Sequence, residues 1–308
     1  MGSEISVLIL GRGAMGQVFQ GLLEDRCRLH SWDRDPETGA ETEPLESAAA
    51  GWQLVILAVP TAPHDELAAR LADVLEPGAA CVSIAKGLDG EGRTPARILE
   101  RRLGRDHAWG LLYGPMIARE MHEGRAGFAM AASEDAALRE RLLDLFHGTP
   151  LHLAASEDVH GVAWAAILKN VYVPLVGAAE ALELGDNMRG FLLTAILDEL
   201  ARIVAAMGGE AATAYGLAGL GDLVTTATSP ASHHRRIGEE LVRGETEALA
   251  ATGANIRSEG VHTAHQVMAH RLFDPEAYPL FRLVLAFLER PQAFDALLQD
   301  YLHEVFAR

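Results

Sequence analysis

The first strand of this chain leads directly into a glycine pattern that few folds use. Residues 5–10 form a short, continuous apolar run, which is typical of a strand buried on both faces of a parallel sheet. Gly11, Gly13 and Gly16 follow in the pattern G-x-G-x-x-G, and a helical period comes next. In that context Gly11 permits a tight turn, Gly13 lets a pyrophosphate approach bare backbone, and Gly16 lets the helix pack on the strand. The pattern predicts a dinucleotide bound at the helix N-terminus.

The end of the second predicted strand bears on which dinucleotide is bound. Residues 28–32 form that strand, and Asp33 and Arg34 follow it. A carboxylate about 20 residues after the glycines binds a ribose hydroxyl of NAD, whereas an arginine there accepts the 2′-phosphate of NADP. The sequence leaves NAD and NADP open, and Arg34 favours acceptance of NADP.

Strands and helices alternate up to about residue 155. Further strands are predicted at 54–59, 80–84, 109–113, 128–132 and 151–154, with helices at 64–75 and 136–147. This alternation predicts a Rossmann-type, doubly wound α/β domain over residues 1–155. Lys86 follows the fourth strand and therefore stands at the carboxyl edge of the sheet, where open parallel sheets bind ligands. An exposed loop lysine is the alternative interpretation of Lys86.

Residues 156–308 have a different pattern, which predicts an all-α domain. Apolar residues recur at helical spacing, with a long helix at 191–207 and two final helices separated near Pro291. Breaks between helices are predicted at Pro174, at Gly185, in a turn at 216–221 and in a loop at 229–232. The apolar character of these helices also predicts a homodimer.

One lysine interrupts the first of these apolar helices. Lys169 follows the uncharged run 162–168. Burial penalises the charged form of an amine and lowers its pKa, as a proton donor near neutral pH requires. Asn170 is the next residue, and Asp222 ends a glycine-rich turn that is able to fold back to the same place. The alternative is a lysine that extends from a core helix to water.

Charge and cysteine content exclude some classes of partner. With 26 basic against 43 acidic residues the net charge is −17, which is the wrong sign for a nucleic-acid-binding protein. Cys27 and Cys81 lie in apolar surroundings, so no disulfide is expected. Neither an export signal nor a membrane span is recognised, so the expected location is cytoplasmic. The histidines show no metal-ligand spacing with carboxylates, so no metal site is predicted.

Nine short segments, in order, resemble the bacterial-type NAD(P)-dependent glycerol-3-phosphate dehydrogenases along nearly the whole chain. They are Gly11-Arg-Gly-Ala-Met-Gly16, Trp32-Asp-Arg34, Ala85-Lys-Gly-Leu88, Gly114-Pro-Met-Ile-Ala-Arg-Glu120, Leu168-Lys-Asn-Val171, Gly185-Asp-Asn187, Gly216-Leu-Ala-Gly-Leu-Gly-Asp222, Arg235-Arg-Ile-Gly238 and Ser258-Glu-Gly260. The resemblance implies reduction of dihydroxyacetone phosphate to glycerol 3-phosphate with a nicotinamide cofactor, as a precursor for phospholipid synthesis. The resemblance also favours functional roles for Lys86 and Lys169 over the alternatives in which each is a solvent-exposed lysine.

The resemblance implies roles for particular residues. Positions that match cofactor contacts in the family are Ala14, Met15, Arg34, Lys86, Ala118, Arg257 and Glu259. Positions that match substrate contacts are Lys86, Gly114, Met116, Lys169, Asp222, Ser232, His233, His234 and Arg235. Lys169 matches the lysine that transfers the proton to the substrate.

Three residues depart from the family pattern. Met116 replaces a serine, His233 replaces the arginine that binds the substrate phosphate, and Arg257 replaces an aliphatic residue. An arginine is always charged and binds phosphate with two parallel hydrogen bonds, whereas a histidine near pH 7 does neither. Either Arg235 or Arg236 takes the phosphate, or the substrate differs from that of the family.

The mechanism that we expect assigns each polar residue a task. Lys169 donates a proton to the carbonyl oxygen of the substrate, and Lys86 adds a second positive field. Asn170 orients groups around the carbonyl, and Asp222 holds a substrate hydroxyl or Lys169 itself. Two alternatives stay open at this point: a related reductase of another small 2-oxo or hydroxy compound, and a non-catalytic protein that senses the nicotinamide pool.

Overall fold

The N-terminal half is built on one β-sheet. The structure is a computed structural model that describes residues 5–34, 43–104, 106–245 and 259–307. The strands of this sheet are β1 (Ser6–Leu10), β2 (Arg28–Trp32), β3 (Leu54–Leu57), β4 (Ala80–Ser83), β5 (Ala108–Tyr113), β6 (Gly127–Ala132) and β7 (Leu151–Ser156). They lie in the order β2-β1-β3-β4-β5-β6-β7. β1 to β5 are parallel, β6 is antiparallel to β5, and β7 is parallel to β6. The predicted Rossmann-type fold is confirmed.

Helices cover both faces of the sheet. They are α1 (Ala14–Leu23), α2 (Leu45–Ala49), α3 (His64–Ala72), α4 (Pro95–Leu103), α5 (Ala118–His122) and α6 (Ala136–Phe146). One apolar core contains the inward side chains of α2, α3 and α4, and the other contains those of α1 and α6. Because both faces are covered, the central strands are continuous apolar runs. The loops at the carboxyl ends of β1 to β5 therefore share one edge of the sheet.

Helices make up the described part of the chain after β7. They are α7 (Val159–Ala181), α8 (Gly185–Ala206), α9 (Asp222–Thr228), α10 (His233–Val242), α11 (Glu259–His270), α12 (Pro279–Glu289) and α13 (Phe294–Phe306). The 216–221 segment, which we predicted as a turn, contains a short π-helix at Leu217–Gly221 that continues into α9. An all-helical C-terminal half was predicted from its apolar spacing, and this part of the fold prediction is confirmed.

α7 joins the two halves. Its first turns pack into the sheet core through Val159, Val162, Ala163 and Ala166, whereas the rest of the helix lies in the core of the helical half. Among the described helices it is the one that has the length and apolar composition of a membrane span, but its apolar window is wholly buried inside the protein. α7 is therefore a core helix, and Lys169 lies near its middle.

The predicted helix break at Pro174 is wrong. α7 continues through Pro174 to Ala181. A proline in a helix removes one amide donor and crowds the carbonyl four residues earlier, here that of Asn170, at a cost of about 3 kcal/mol. The backbone of α11 packs against that carbonyl, since a Cβ atom on Gly260 would lie 2.1 Å from the Asn170 oxygen. Burial of nearly every side chain of α7 outweighs the cost of the proline.

A buried carboxylate fixes the start of α12. Glu199 of α8 is 2% exposed and accepts hydrogen bonds from the Tyr172 hydroxyl at 2.8 Å and from the amides of Leu280 and Phe281 at 2.9 and 2.6 Å. These amides lie in the first turn of α12, where no earlier residue of the helix accepts from them. Glu199 thus links α7, α8 and α12.

Replacing Glu199 by alanine is expected to destabilise the protein by about 3 to 5 kcal/mol, because three buried donors lose their acceptor. Urea unfolding followed by circular dichroism measures this change. The matched control is the neighbouring Asp198→Ala, whose side chain is 71% exposed and whose ion pair with Arg202 contributes little. Equal unfolding midpoints for the two variants would show that Glu199 does not hold the helices together.

Candidate active site

The glycine loop after β1 has the shape that a dinucleotide requires. Gly11 has φ +107°, and a Cβ atom there would lie 2.5 Å from the carbonyl oxygen of Ala58. A Cβ atom on Gly16 would lie 2.0 Å from the carbonyl oxygen of Gly11, so α1 packs directly on the loop. A Cβ atom on Gly13 would meet nothing within 4 Å among the described residues. Gly13 therefore presents open backbone at the start of α1, where Ala14 and Met15 follow.

Asp33 is hydrogen-bonded to the glycine loop, whereas the side chain of Arg34 is exposed. The Asp33 carboxylate accepts a hydrogen bond from the Arg12 amide at 2.8 Å. The Arg12 guanidinium turns back to the strand and donates to the Ser31 carbonyl at 2.5 Å. The carboxylate thus lies where the ribose of a bound dinucleotide would be expected.

Two lysines and one aspartate from three separate elements meet in the interior. The Asp222 carboxylate, at the start of α9, lies 2.7 Å from the Lys86 ammonium through Oδ2 and 3.2 Å from the Lys169 ammonium through Oδ1. Lys86 also donates to the Gly114 carbonyl at 2.9 Å. Lys169 and Asp222 are 4% and 3% exposed. The alternative in which Lys169 extends to water is excluded, because its ammonium lies inside the protein.

Thr226 is a fourth member of this cluster that the sequence did not reveal. The Lys169 ammonium donates to its hydroxyl at 2.6 Å, and the hydroxyl donates to the Asp222 carbonyl at 2.7 Å. Thr226 follows Asp222 by one helical turn, so both side chains lie on the same face of α9.

Burial and neighbouring charges set the acidity of the cluster. Burial lowers the pKa of Lys169 to about 8, against an upward effect of Asp222 and a further downward effect of Lys86. Burial alone would raise the pKa of the Asp222 carboxyl, but the charges of Lys169 and Lys86 outweigh it and the pKa is lowered. Asp222 is therefore ionised at neutral pH, and Lys169 is a much stronger acid than an exposed lysine.

Glu259 is a second carboxyl group in the same interior. A Cβ atom on Gly87 would lie 3.3 Å both from Glu259 Oε1 and from Thr61 Oγ1, so these side chains flank the loop that carries Lys86. Burial raises the pKa of Glu259 to about 8, although Lys86 and Lys169 act in the opposite direction. Glu259 is therefore mostly neutral at pH 7. Arg257, the predicted companion of Glu259 at the cofactor, lies outside the described residues.

Asn170 presents an unused acceptor beside Lys169. Its amide nitrogen approaches the Lys86 carbonyl at 3.4 Å. Its buried Oδ1 has no hydrogen-bond partner among the described residues. A buried acceptor of this kind favours a polar ligand group at that point.

The predicted phosphate end of the site differs from expectation. Arg235 forms ion pairs with Glu180 and, at 3.2 Å, with Glu239, so its guanidinium is bound within the helical half. Burial lowers the pKa of His234 to about 3, so this histidine is neutral and does not act as a cation. Ser232 caps α10 by accepting from the Arg235 amide at 3.2 Å, and His233 is exposed in the first turn of that helix. Arg235 and Arg236 were the two candidate ligands for the substrate phosphate. Because Arg235 is bound by carboxylates, the exposed Arg236 is the remaining candidate.

The two remaining predicted residues lie after β5, beside Gly114. Met116 is half-buried and packs against the sheet core, so its thioether leaves no hydroxyl there for a substrate. Ala118 begins the short helix α5. Gly114 is buried, and a Cβ atom on it would lie 2.4 Å from the carbonyl oxygen of Phe128, which explains the need for glycine.

The printed sequence contains only two lysines, Lys86 and Lys169, among its 26 basic residues. Both lie in the cluster around Asp222. Arginine therefore supplies the other basic side chains, and lysine occurs only where a basic group contacts Asp222. An amine can lose its proton when it is buried, whereas a guanidinium stays charged.

Comparison with known proteins agrees with this geometry. Residues 36–139 match the family model for the N-terminus of NAD-dependent glycerol-3-phosphate dehydrogenase, and residues 158–299 match the model for its C-terminus. A relative from Sphingopyxis alaskensis, named glycerol-3-phosphate dehydrogenase [NAD(P)+] 2, is 31% identical in an alignment 290 residues long that covers 86% of this chain and 86% of the relative. A relative from Mycobacterium avium is 33% identical and covers 86% of this chain and 84% of its own.

A solved structure shares the same architecture. The crystal structure of glycerol-3-phosphate dehydrogenase from Coxiella burnetii superposes with a TM-score of 0.84 at 25% identity, over 97% of this chain and 99% of the other. The sequence and structural matches extend over both halves, and the two matched ranges contain the positions of Lys86, Lys169 and Asp222. This chain belongs to the NAD(P)-dependent glycerol-3-phosphate dehydrogenase family.

Proposed function

We propose that this chain reduces dihydroxyacetone phosphate to sn-glycerol 3-phosphate with NADH or NADPH, and that Lys169 donates the proton. The observation that carries the proposal is the buried contact of Lys86, Asp222 and Lys169 at the carboxyl edge of the sheet that bears the glycine loop. Relatives named glycerol-3-phosphate dehydrogenase [NAD(P)+] support this substrate.

The charge of the cluster suits an anionic substrate and a developing oxyanion. Two lysines and one ionised carboxylate leave one net positive charge when Glu259 is neutral. Because these side chains are buried, this charge interacts strongly with the oxygen on which negative charge grows. Asp222 also keeps the two ammonium groups in place, because each binds a different carboxylate oxygen.

Lys169 has the position and the acidity of the proton donor. A nicotinamide bound at the glycine loop would supply the hydride. Lys169 gives its proton to the carbonyl oxygen, and its pKa of about 8 lies close to the operating pH, where proton transfer is most efficient. Thr226 orients the ammonium, and Lys86 attracts the same oxygen from the side of the sheet. Asn170 Oδ1, which has no partner among the described residues, accepts a hydrogen bond from the bound substrate or cofactor.

We further propose that NADH is preferred and that NADPH is accepted. The Asp33 carboxylate beside the glycine loop binds a ribose hydroxyl and repels a 2′-phosphate. Arg34, exposed next to it, partly offsets that repulsion by attracting the phosphate.

A panel of substrates and cofactors tests the proposed function. Oxidation of NADH and of NADPH is followed with dihydroxyacetone phosphate and with unphosphorylated ketones such as dihydroxyacetone. We expect turnover with dihydroxyacetone phosphate and a higher kcat/KM with NADH than with NADPH. Turnover of the unphosphorylated compounds alone would contradict the proposed substrate.

A second candidate is a related reductase of a small 2-oxo compound that lacks a phosphate. The observation that favours it is the loss of three polar contacts at the phosphate end: Met116 in place of serine, His233 in place of arginine, and Arg235 held by Glu180 and Glu239. Small 2-oxo acids without a phosphate belong in the same panel as its test.

The neutral form of Glu259 predicts a pH dependence of substrate affinity. As pH rises through about 8 this carboxyl ionises and Lys169 loses its proton, so both changes remove the net positive charge of the cluster. We expect the KM for dihydroxyacetone phosphate to rise about threefold to tenfold from pH 7 to pH 9. Glu259→Gln, which cannot ionise, should at least halve that rise, whereas the exposed Glu24→Gln should leave it unchanged. An identical rise in Glu259→Gln would assign the effect to another group.

We also propose that the protein is a cytoplasmic homodimer. Exposed apolar side chains on the helical half support self-association, among them Tyr215 (54% exposed) and Phe306 (66% exposed). Light scattering coupled to gel filtration measures the mass in solution, and a mass of one chain would contradict the dimer.

A further inference from the structure

The backbone of Ala85, the residue before Lys86, is bound by side chains of two neighbouring strands. Beyond Ile84, whose amide donates to the Leu57 carbonyl at 3.2 Å, the chain leaves the sheet. The Ala85 amide donates to the Ser83 hydroxyl at 3.1 Å, and the Ala85 carbonyl accepts from the Tyr113 hydroxyl. Both polar groups of Ala85 are thus bound by buried side chains at the point where the lysine emerges.

A buried histidine fixes the Ser83 hydroxyl. His64, at the start of α3, is fully buried, with Nε2 2.7 Å from Ser83 Oγ and Nδ1 3.0 Å from the Pro60 carbonyl. A carbonyl only accepts, so Nδ1 carries the hydrogen and Nε2 accepts from the Ser83 hydroxyl. Burial lowers the pKa of His64 to about 4, so the ring stays neutral and keeps this arrangement at working pH. Ser83 Oγ is therefore free to accept from the Ala85 amide.

We propose that His64, Ser83 and Tyr113 are positioning residues for Lys86. Ser83, itself held by His64, and Tyr113 fix the Ala85 backbone and thereby place the Lys86 ammonium against Asp222 and the Gly114 carbonyl. This inference rests on the proposed role of Lys86 in the reaction. Tyr113 holds the loop from a second direction, because it is the last residue of β5 and precedes Gly114. The three side chains thus fix the backbone of Lys86 relative to Asp222 and Gly114, which bind its ammonium.

Small displacements of a charged group matter at such a site. The Lys86 ammonium binds Asp222 at 2.7 Å and Gly114 at 2.9 Å, and a shift of its backbone lengthens both contacts. A misplacement of about 1 Å costs on the order of 100-fold in rate. Loss of either Ser83 or His64 should therefore act on turnover through Lys86, although neither side chain contacts Lys86 Nζ.

The test compares Ser83→Ala and His64→Leu with the conservative Ser83→Thr, each also in a Lys86→Met background. We expect Ser83→Ala and His64→Leu to lower kcat by about 10- to 100-fold. NADH affinity, measured by fluorescence, should change less than threefold. Ser83→Thr keeps the hydroxyl and should recover most of the activity. In the Lys86→Met background Ser83→Ala should cost less than about twofold, because the group through which it acts is absent.

A second measurement does not depend on turnover. Since the chain has two lysines, the stable amides that acetic anhydride forms with amines fall on Lys86, Lys169 and the terminal amine, and mass spectrometry resolves them. Ser83→Ala should raise the labelling rate of Lys86 at least threefold, as its ammonium leaves Asp222, with little change at Lys169. Thermal unfolding of each variant shows that it is folded.

These outcomes separate the two proposals. Unchanged Lys86 labelling together with wild-type kcat in Ser83→Ala would overturn the positioning role. An equal loss from Ser83→Ala with and without Lys86 would also overturn it, because the residue would then act on the fold. If wild-type protein fails to reduce dihydroxyacetone phosphate, the proposed function fails instead. If Lys86→Met keeps full activity, the proposed role of Lys86 in the reaction fails. The labelling rate of Lys86 then still shows whether His64, Ser83 and Tyr113 hold its ammonium against Asp222.

Discussion

Lys169→Ala should lower kcat for dihydroxyacetone phosphate reduction by about 10²- to 10⁴-fold, which is the usual effect of losing a positioned proton donor. The polar contacts of the Lys169 side chain in the interior are with Asp222 and Thr226, and not with the glycine loop before α1. NADH affinity should therefore stay within about threefold of wild type. Steady-state kinetics measures the first quantity, and quenching of protein fluorescence by NADH measures the second.

Lys169→Arg is the control that separates charge from acidity. An arginine keeps the positive charge, but its pKa lies above the range in which it releases a proton in proteins. If Lys169 acts as an acid, the arginine variant should also lose about 100-fold or more of kcat. Near wild-type turnover in Lys169→Arg would mean that the site needs a cation there and takes its proton from another group.

Asp222→Asn should have the second large effect. The asparagine keeps the shape of the side chain but leaves two ammonium groups side by side without a counter-charge. Asp222 raises the pKa of Lys169 against the effect of burial, so its loss should move that pKa below about 8 and leave less of the acid form at pH 7. We expect kcat at pH 7 to fall by about 10²- to 10³-fold.

The pH profile of Asp222→Asn identifies the cause of that loss. Activity should recover in part as pH is lowered from 8 to 6, because Lys169 regains its proton. Thr226→Val is the matched control: it removes the hydroxyl that binds Lys169 but keeps the carboxylate, and it should cost only about tenfold. A profile for Asp222→Asn that is parallel to wild type would show that Asp222 does not tune Lys169.

Local sequence patterns were sufficient to predict much of the fold. β2 was predicted within its observed bounds, and the ends of β1, β3, β4 and β5 differ by at most two residues. Continuous apolar runs and the glycine pattern are properties of neighbouring residues, so they can be read directly. Pro174 was misjudged because tertiary packing around α7 decides whether a helix continues through a proline.

The site was only partly predictable for the same reason. Lys86, Lys169 and Asp222 were all named as candidates, and the structure brings their side chains together. The occurrence of just two lysines is a sequence signal that points to both of them independently. His64 and Tyr113 carry no such signal, because their contacts with Ser83 and Ala85 depend on strand order and on the position of α3.

The phosphate end shows what a motif leaves undetermined. Arg235 was a reasonable phosphate ligand by position, yet Glu180 and Glu239, which lie 55 residues before it and four after it, bind its guanidinium. Glu239 is a helical neighbour that the local sequence shows, whereas only the fold brings the distant Glu180 to Arg235.

The central claim is that burial makes Lys169 acidic enough to donate a proton near neutral pH. Protein grown with ¹³Cε-labelled lysine gives two side-chain NMR signals, one from each lysine, and Lys169→Ala assigns them. The Lys169 signal should titrate with a midpoint near pH 8. A Lys169 signal that does not move until the pH approaches about 10.4, the value of an unperturbed lysine, would contradict the account.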